Sequence, residues 1–279
     1  MAGQTISIVD THCHIHEIGG PEGDFTHQKW AKAGVTDPDA VVAAAAAVGV
    51  DRLICVGCDV DDSRLAIDFV QSRDNTWASI GIHPHEAKRY ADDSTELARF
   101  AAMATEPKVV AVGECGLDYY YEHSPRADQL AILEFQMELA SRLKLPMIFH
   151  VRDAFDDFWP VFDRFSGLRG VIHSFTADKN VLEQSLERNL YIGLNGIVTF
   201  SKIQEQLTAA ASVPMSHVVI ETDAPYLTPT PYRGTICEPK HARTNLEFIA
   251  NLQGVPPQEM SAFAAKTTEN ACRLFNLPE

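Results

Sequence analysis

The chain has 279 residues, 46% of them apolar, enough for one sizeable core and too many for a disordered chain. Its formal net charge of −15 argues against the broad basic footprint of a duplex-binding protein, although ions bound in a cleft would add positive charge that this count omits. No apolar run approaches the ~20 residues of a membrane span. The start, Met1-Ala2-Gly3-Gln4, has neither a basic region nor an apolar signal core. The six scattered cysteines suit a reduced compartment, so the expectation is a cytoplasmic monomer with no membrane partner.

In chain order, Ile6-Ser7-Ile8-Val9 reads as a buried strand leading into Asp10-Thr11-His12-Cys13-His14. Alternation along a strand sends His12 and His14 to one side and Cys13 to the other. Residues 17–37, with Gly19-Gly20-Pro21 and no periodicity, read as a long loop, and loops of that length tend to be functional. Thr36 or Asp37 can cap a helix over 38–48 that has Pro38 in its first turn. Residues 52–57 form the second strand. Cys55 and Cys58 make a C-x-x-C there, but it falls within a strand and has no second pair, which favours a structural role.

A helix over 61–73 precedes a third strand, 77–82, ending at His83-Pro84-His85. After a helix at 94–104, a fourth strand at 108–113 runs into Glu114, and residues 116–121 form a loop rich in tyrosine. A long helix follows Pro125 to about 143. A fifth strand, 146–149, delivers His150, and 152–165 is mostly helical. A sixth strand, 170–172, delivers His173. A helix at 178–188, a seventh strand at 190–194 and a helix at 201–211 come next. The eighth strand, 217–220, runs on to Asp223, followed by a proline-rich loop at 225–239 and helices near 241–252, 257–265 and 268–275.

Eight continuously apolar runs separated by helical patterns point to a parallel sheet buried on both faces. At this length they predict one α/β domain over residues 1–279, a (β/α)8 TIM barrel with extra C-terminal helices; a doubly wound open sheet has the same local pattern. In a barrel the active site lies at the C-terminal ends of the strands. Those ends carry His12, His14, Glu114, His150, His173 and Asp223, with His83 after the third strand. Four imidazoles and two carboxylates suit zinc, manganese or iron better than calcium. Six donors exceed the four of one tetrahedral site, so two divalent ions are expected, bridged by Glu114. Asp223 can both ligate and take a proton from the attacking water, which makes Glu114 and Asp223 the candidate catalytic pair for metal-assisted hydrolysis. His83 can meet a phosphate, or shape a turn with Pro84. Arg152 and Arg233 can clamp a phosphate, though a surface ion pair explains each as well. Tyr119, Tyr120 and Tyr121 can stack bases or pack the rim. Asp10 is a candidate partner for a ligand histidine. No G-x-S-x-G, Walker-type or G-x-G-x-x-G loop is present.

Several stretches appear in a familiar order: Asp10-Thr11-His12-Cys13-His14, Gly81-Ile82-His83-Pro84-His85, Gly113-Glu114-Cys115-Gly116-Leu117-Asp118-Tyr119, His173-Ser174-Phe175-Thr176 and Glu221-Thr222-Asp223-Ala224-Pro225-Tyr226-Leu227. Over nearly its whole length the chain resembles the TatD family of metal-dependent deoxyribonucleases, within the amidohydrolase-like barrels. The resemblance implies a TIM barrel with two divalent metals (Zn, Mg or Mn) on His12, His14, Glu114, His150, His173 and Asp223. It implies hydrolysis of DNA phosphodiesters, commonly as a 3′-to-5′ exonuclease on single-stranded ends, with His83 and Arg233 near the substrate phosphate. The chain departs from the family at His16, where an aspartate is usual, in the longer segment 17–37, and at Cys115 and Asn195. The acidic charge and the altered first segment leave a second reading open, a small-molecule amide, lactone or phosphoester hydrolase on the same barrel.

Overall fold

Eight short runs rich in valine and isoleucine form the strands of the computed structural model, which describes residues 6–20 and 25–278. They are β1 (Ile8–Cys13), β2 (Val50–Val56), β3 (Thr76–Ile80), β4 (Val109–Asp118), β5 (Met147–Arg152), β6 (Gly170–Ile172), β7 (Tyr191–Leu194) and β8 (Val218–Ile220). The sheet order follows the chain order, and β1–β2, β3–β4, β4–β5, β5–β6 and β7–β8 pair in parallel. Aspartates start several of the connecting helices. Asp37, Asp59, Asp93 and Asp178 each accept a hydrogen bond from a first-turn backbone N–H, supplying partners that the helix itself cannot.

The chain divides into two compact units, Met1–Cys55 with Ser174–Glu279, and Val56–His173. In the first unit β1 lies beside the β8 segment. Cys13 forms a parallel bridge with Ala224, His14 N donates to Ala224 O (2.7 Å) and Asp223 N donates to His12 O (2.8 Å). Direct pairing of first and last segments separates a barrel from a doubly wound open sheet. The fold is a (β/α)8 barrel whose last strand is followed by helices Ala242–Leu252 and Met260–Phe275.

In the second unit, Phe149 of β5 packs edge-on against Phe158 and Phe162 (ring centroids 5.1 and 5.7 Å), and Phe149 and Phe158 are fully buried. Truncating such a ring to alanine costs about 3–5 kcal/mol. This cluster backs the strand that carries His150.

Several boundaries differ from the expected ones. β4 continues to Asp118 and β5 to Arg152, so Arg152 ends a strand rather than starting a helix. The tail expected as two helices, 257–265 and 268–275, is one helix, Met260–Phe275, after a short 3-10 turn. The segment expected to be a loop holds a helix, Phe25–Lys32, whose one buried residue is Trp30. A helix seated by a single large side chain shows no apolar stripe for periodicity to find. Pro21 and the Met1–Gln4 start fall outside the described residues.

Candidate metal centre

In the first unit, strand alternation puts the His12 and His14 rings on one side, with their Nε2 atoms 3.3 Å apart. Cys13 points the other way, and its thiol donates to Ile54 O (3.4 Å). Asp223 completes a triangle, its Oδ1 3.7 Å from His12 Nε2 and 3.4 Å from His14 Nε2. Asp223 adopts φ 61°, a left-handed conformation that aspartate tolerates better than branched residues. That turn gives its backbone N–H to His12 O while the carboxylate faces the imidazoles. Donors ~2.0–2.1 Å from a tetrahedral ion lie about 3.3 Å from one another, close to the edges of this triangle. The geometry and the mixed N,O chemistry both fit a divalent cation.

Asp10 holds the two ligand-bearing segments together. Its Oδ1 accepts from Thr222 N (2.9 Å) and His12 N (3.3 Å), and its Oδ2 from the Thr222 hydroxyl (2.6 Å). It is thus the expected partner of a ligand histidine, His12, and meets it at the main-chain N–H. Asn245, fully buried on helix Ala242–Leu252, donates to Glu221 O (2.8 Å) and steadies the approach to Asp223.

In the second unit the centre of the cluster is Glu114. Its Oε1 lies 2.8 Å from His150 Nδ1, 3.5 Å from His83 Nε2 and 3.7 Å from His173 Nε2. Its Oε2 accepts from the Cys58 thiol (3.8 Å). The other nitrogen of His150, Nε2, is 3.0 Å from Asp118 Oδ2, and that oxygen also meets His85 Nε2 at 3.1 Å. His150 therefore spans two carboxylates. Burial disfavours its charged form, but Asp118 and Glu114 outweigh that and raise its pKa to about 9. Desolvation works against the Asp118 carboxylate too, yet His150 and His85 hold it well below the usual range. His83 has the opposite balance, with burial lowering its pKa well below the ordinary imidazole value.

Two features allow this spacing. Gly116 lies between the two carboxylates on β4, where an added Cβ would come within 1.8 Å of His150 O, so only glycine lets the strands approach this closely. Helix Arg126–Leu143 presents Gln129 and Gln136 two turns apart on one face, both fully buried. Gln129 accepts from Asp118 N (2.8 Å), and Gln136 accepts from Ile82 N (2.8 Å) and donates to Ile82 O (3.0 Å). One helix thus fixes the end of β4 and the turn that carries His83.

The remaining expected substrate contacts have local partners of their own. Arg233 donates to Thr228 O (2.8 Å) and stacks over Phe200 (3.8 Å). Arg152 lies over Tyr120 and Tyr121 at 4.1 and 4.8 Å. Tyr119 donates its hydroxyl to Asp157 (2.8 Å) under the guanidinium of Arg126. His16, the family departure, is buried in a 3-10 turn with its ring 6.1 Å from that of His14. Sequence reasoning missed Asp118 as a partner of His150. The available signal was alternation, since Glu114, Gly116 and Asp118 share one face if β4 runs on.

Residues 9–276 match a family model described as TatD related DNase. The chain belongs to the TatD family. A TatD relative from Citrobacter rodentium named 3′-5′ ssDNA/RNA exonuclease is 35% identical over 255 residues, covering 87% of this chain and 93% of the relative. The uncharacterized metal-dependent hydrolase YabD of Bacillus subtilis is 32% identical over 272 residues, covering 97% of this chain and 99% of the relative. The crystal structure of the TatD homolog YJJV from Escherichia coli shares the fold with a TM-score of 0.85 at 24% identity, covering 99% of this chain and 100% of that one. This TatD-family chain is a metal-dependent hydrolase whose His, Glu and Asp clusters are able to bind metal. Among the described residues, no helix is long and apolar enough to cross a membrane, and none of the six cysteines forms a disulfide.

Proposed function

We propose that this TatD-family hydrolase removes nucleotides from the 3′ end of single-stranded DNA, with His12, His14, Glu114, His150, His173 and Asp223 holding two divalent ions, whether zinc, magnesium or manganese. The observation that carries the reading is the pair of donor groups, His12–His14–Asp223, whose ligand atoms lie within 4.8 Å of one another, and Glu114 with His150 and His173, whose ring nitrogens lie 2.8 and 3.7 Å from Glu114 Oε1. Ions held there would supply Lewis-acid polarisation of the phosphoryl oxygens and a lowered pKa for water. Asp223 takes the proton of the attacking water. Glu114 would be the carboxylate shared by the two ions, and Asp118 keeps His150 oriented. His83, neutral through burial, offers one N–H to the substrate phosphate, and Arg152, Arg233 and Tyr119 are further substrate contacts. The same reading takes residues 1–279 as one catalytic domain in a cytoplasmic monomer. A family match running through both compact units supports the first point, and the unbridged cysteines support the location.

The test uses metal-stripped protein reconstituted separately with magnesium, manganese and zinc, then given 3′-labelled and 5′-labelled single-stranded DNA, with Asp223→Asn as the contamination control. Stepwise, metal-dependent loss from the 3′ end that disappears in the variant is the expected result. Full metal loading without cleavage of any strand would overturn the nuclease reading in favour of a small-molecule hydrolase.

A further inference from the structure

Helix Phe25–Lys32 lies within the long segment 17–37, and it is fastened beside the first donor cluster. The buried Trp30 indole donates to the carbonyl oxygen of His14 (3.1 Å). The His27 ring pairs with Glu17 O (3.1 Å), and the Thr26 hydroxyl pairs with the Tyr226 hydroxyl (2.8 Å). Tyr226 in turn sets its ring edge-on to His14, centroids 6.3 Å apart, three residues beyond Asp223.

With that face seated, the helix turns Phe25 and Lys29, one turn apart, toward Tyr226. The Phe25 ring is nearly parallel to that of Tyr226 (11°, centroids 6.4 Å apart), and the Lys29 ammonium lies 5.0 Å from the Tyr226 centroid and 5.7 Å from that of Phe25. Phe25 is 69% exposed, the most exposed large apolar side chain among the described residues. An exposed aromatic face offers a stacking surface to a flat partner. A cation beside two parallel rings, next to candidate metal ligands, is the combination that grips unpaired nucleotides by base stacking and phosphate contact.

We propose that helix Phe25–Lys32 reads the substrate: Phe25 and Tyr226 stack an unpaired nucleobase next to the scissile bond, and the Lys29 ammonium meets an adjoining phosphate. This rests on the nucleic-acid reading of the site above, and it identifies this helix as the element that selects a base-bearing substrate. The ring asks only for a flat partner, so the preference is for unpaired strands of any sequence; a paired base has its faces already covered by neighbours in the stack.

The experiment titrates the metal-reconstituted full chain against a fluorescein-labelled single-stranded oligothymidylate, read by anisotropy, with cleavage followed in parallel. Phe25→Ala should weaken binding about fivefold or more, the low end of the loss seen when one stacked base is given up. Phe25→Trp should restore wild-type affinity, and Phe25→Leu, apolar but not aromatic, should not. Lys29→Gln should weaken binding and flatten its dependence on salt, and Lys29→Arg should restore both. Affinities within twofold of wild type for Phe25→Ala, or full rescue by leucine, would overturn the proposal while leaving the nuclease reading intact. Binding that depends on Phe25 without any cleavage would sustain the proposal and sink the nuclease reading. A wild-type protein that binds no oligonucleotide overturns the proposal.

Discussion

The two donor clusters are built from similar residues and held in different ways. In the first, His12, His14 and Asp223 form a triangle with edges of 3.3–3.7 Å, steadied from behind through backbone contacts to Asp10 and Trp30. In the second, His150 is stretched between Glu114 and Asp118, 2.8 and 3.0 Å away, and carries a proton up to a pKa of about 9. The first is arranged for an ion as it stands. The second holds a proton where an ion would go, so loading it means losing that proton. An imidazole can therefore be preorganised by its backbone or by a carboxylate partner, and the two routes respond differently to pH and to mutation.

Several measurements would break or sharpen this contrast. Asp223→Asn removes a donor and the proposed base together. It should lower the turnover number about 100-fold or more, with the folded circular dichroism spectrum kept; a turnover number near wild type would take Asp223 out of the mechanism. Glu114→Ala should reduce bound metal from about two ions per chain to one or fewer, read by elemental analysis after dialysis. Unchanged stoichiometry would exclude a bridging role. Asp118→Asn touches only the carboxylate route. It should weaken the affinity of one ion about 10–100-fold in a calorimetric titration and leave the other as it was. Equal weakening of both would erase the distinction between the clusters.

The pH dependence of the metal-free protein gives a fourth measurement. The His150 pKa is raised from the ordinary 6.5 to about 9 by folding, so its contribution to stability is complete below about pH 6.5 and is lost as pH rises through 9. The melting temperature of chelator-treated protein should fall over that range, and the fall should shrink in Asp118→Asn. The smallest effect is expected from Arg233→Ala, a two- to fivefold rise in KM for DNA, in keeping with the ~0.5–1 kcal/mol of an exposed charge contact. The guanidinium is already engaged by Thr228 O and Phe200, and an unchanged KM would leave it a purely local role.

Much of this was legible in the sequence, for definite reasons. His12, His14, Glu114, His150, His173 and Asp223 each follow an apolar run, and parallel strands put such residues at one end of the sheet. Asp118 was not legible, because a strand ending at Gly113 leaves it in a loop; once β4 runs ten residues, alternation places it on the face of Glu114. The helix over Phe25–Lys32 was hidden for another reason. Its seat is one tryptophan and a few hydrogen bonds, and neither leaves a periodic trace. Asp10 partners a ligand histidine as expected, but strand alternation says only which side a carboxylate takes, not that the main-chain N–H of His12 and of Thr222 would receive it.

The anchors of that helix have a consequence for how such proteins diversify. Trp30 and His27 fasten it to the main-chain oxygens of His14 and Glu17, groups that every polypeptide possesses whatever its side chains. Apart from the Tyr226 side chain that Thr26 meets, a segment attached in this way makes few demands on the sequence beneath it. It is portable: a loop carrying a tryptophan and a histidine at this spacing can be grafted onto a related barrel, or exchanged for another, without redesigning the ligands it overlooks.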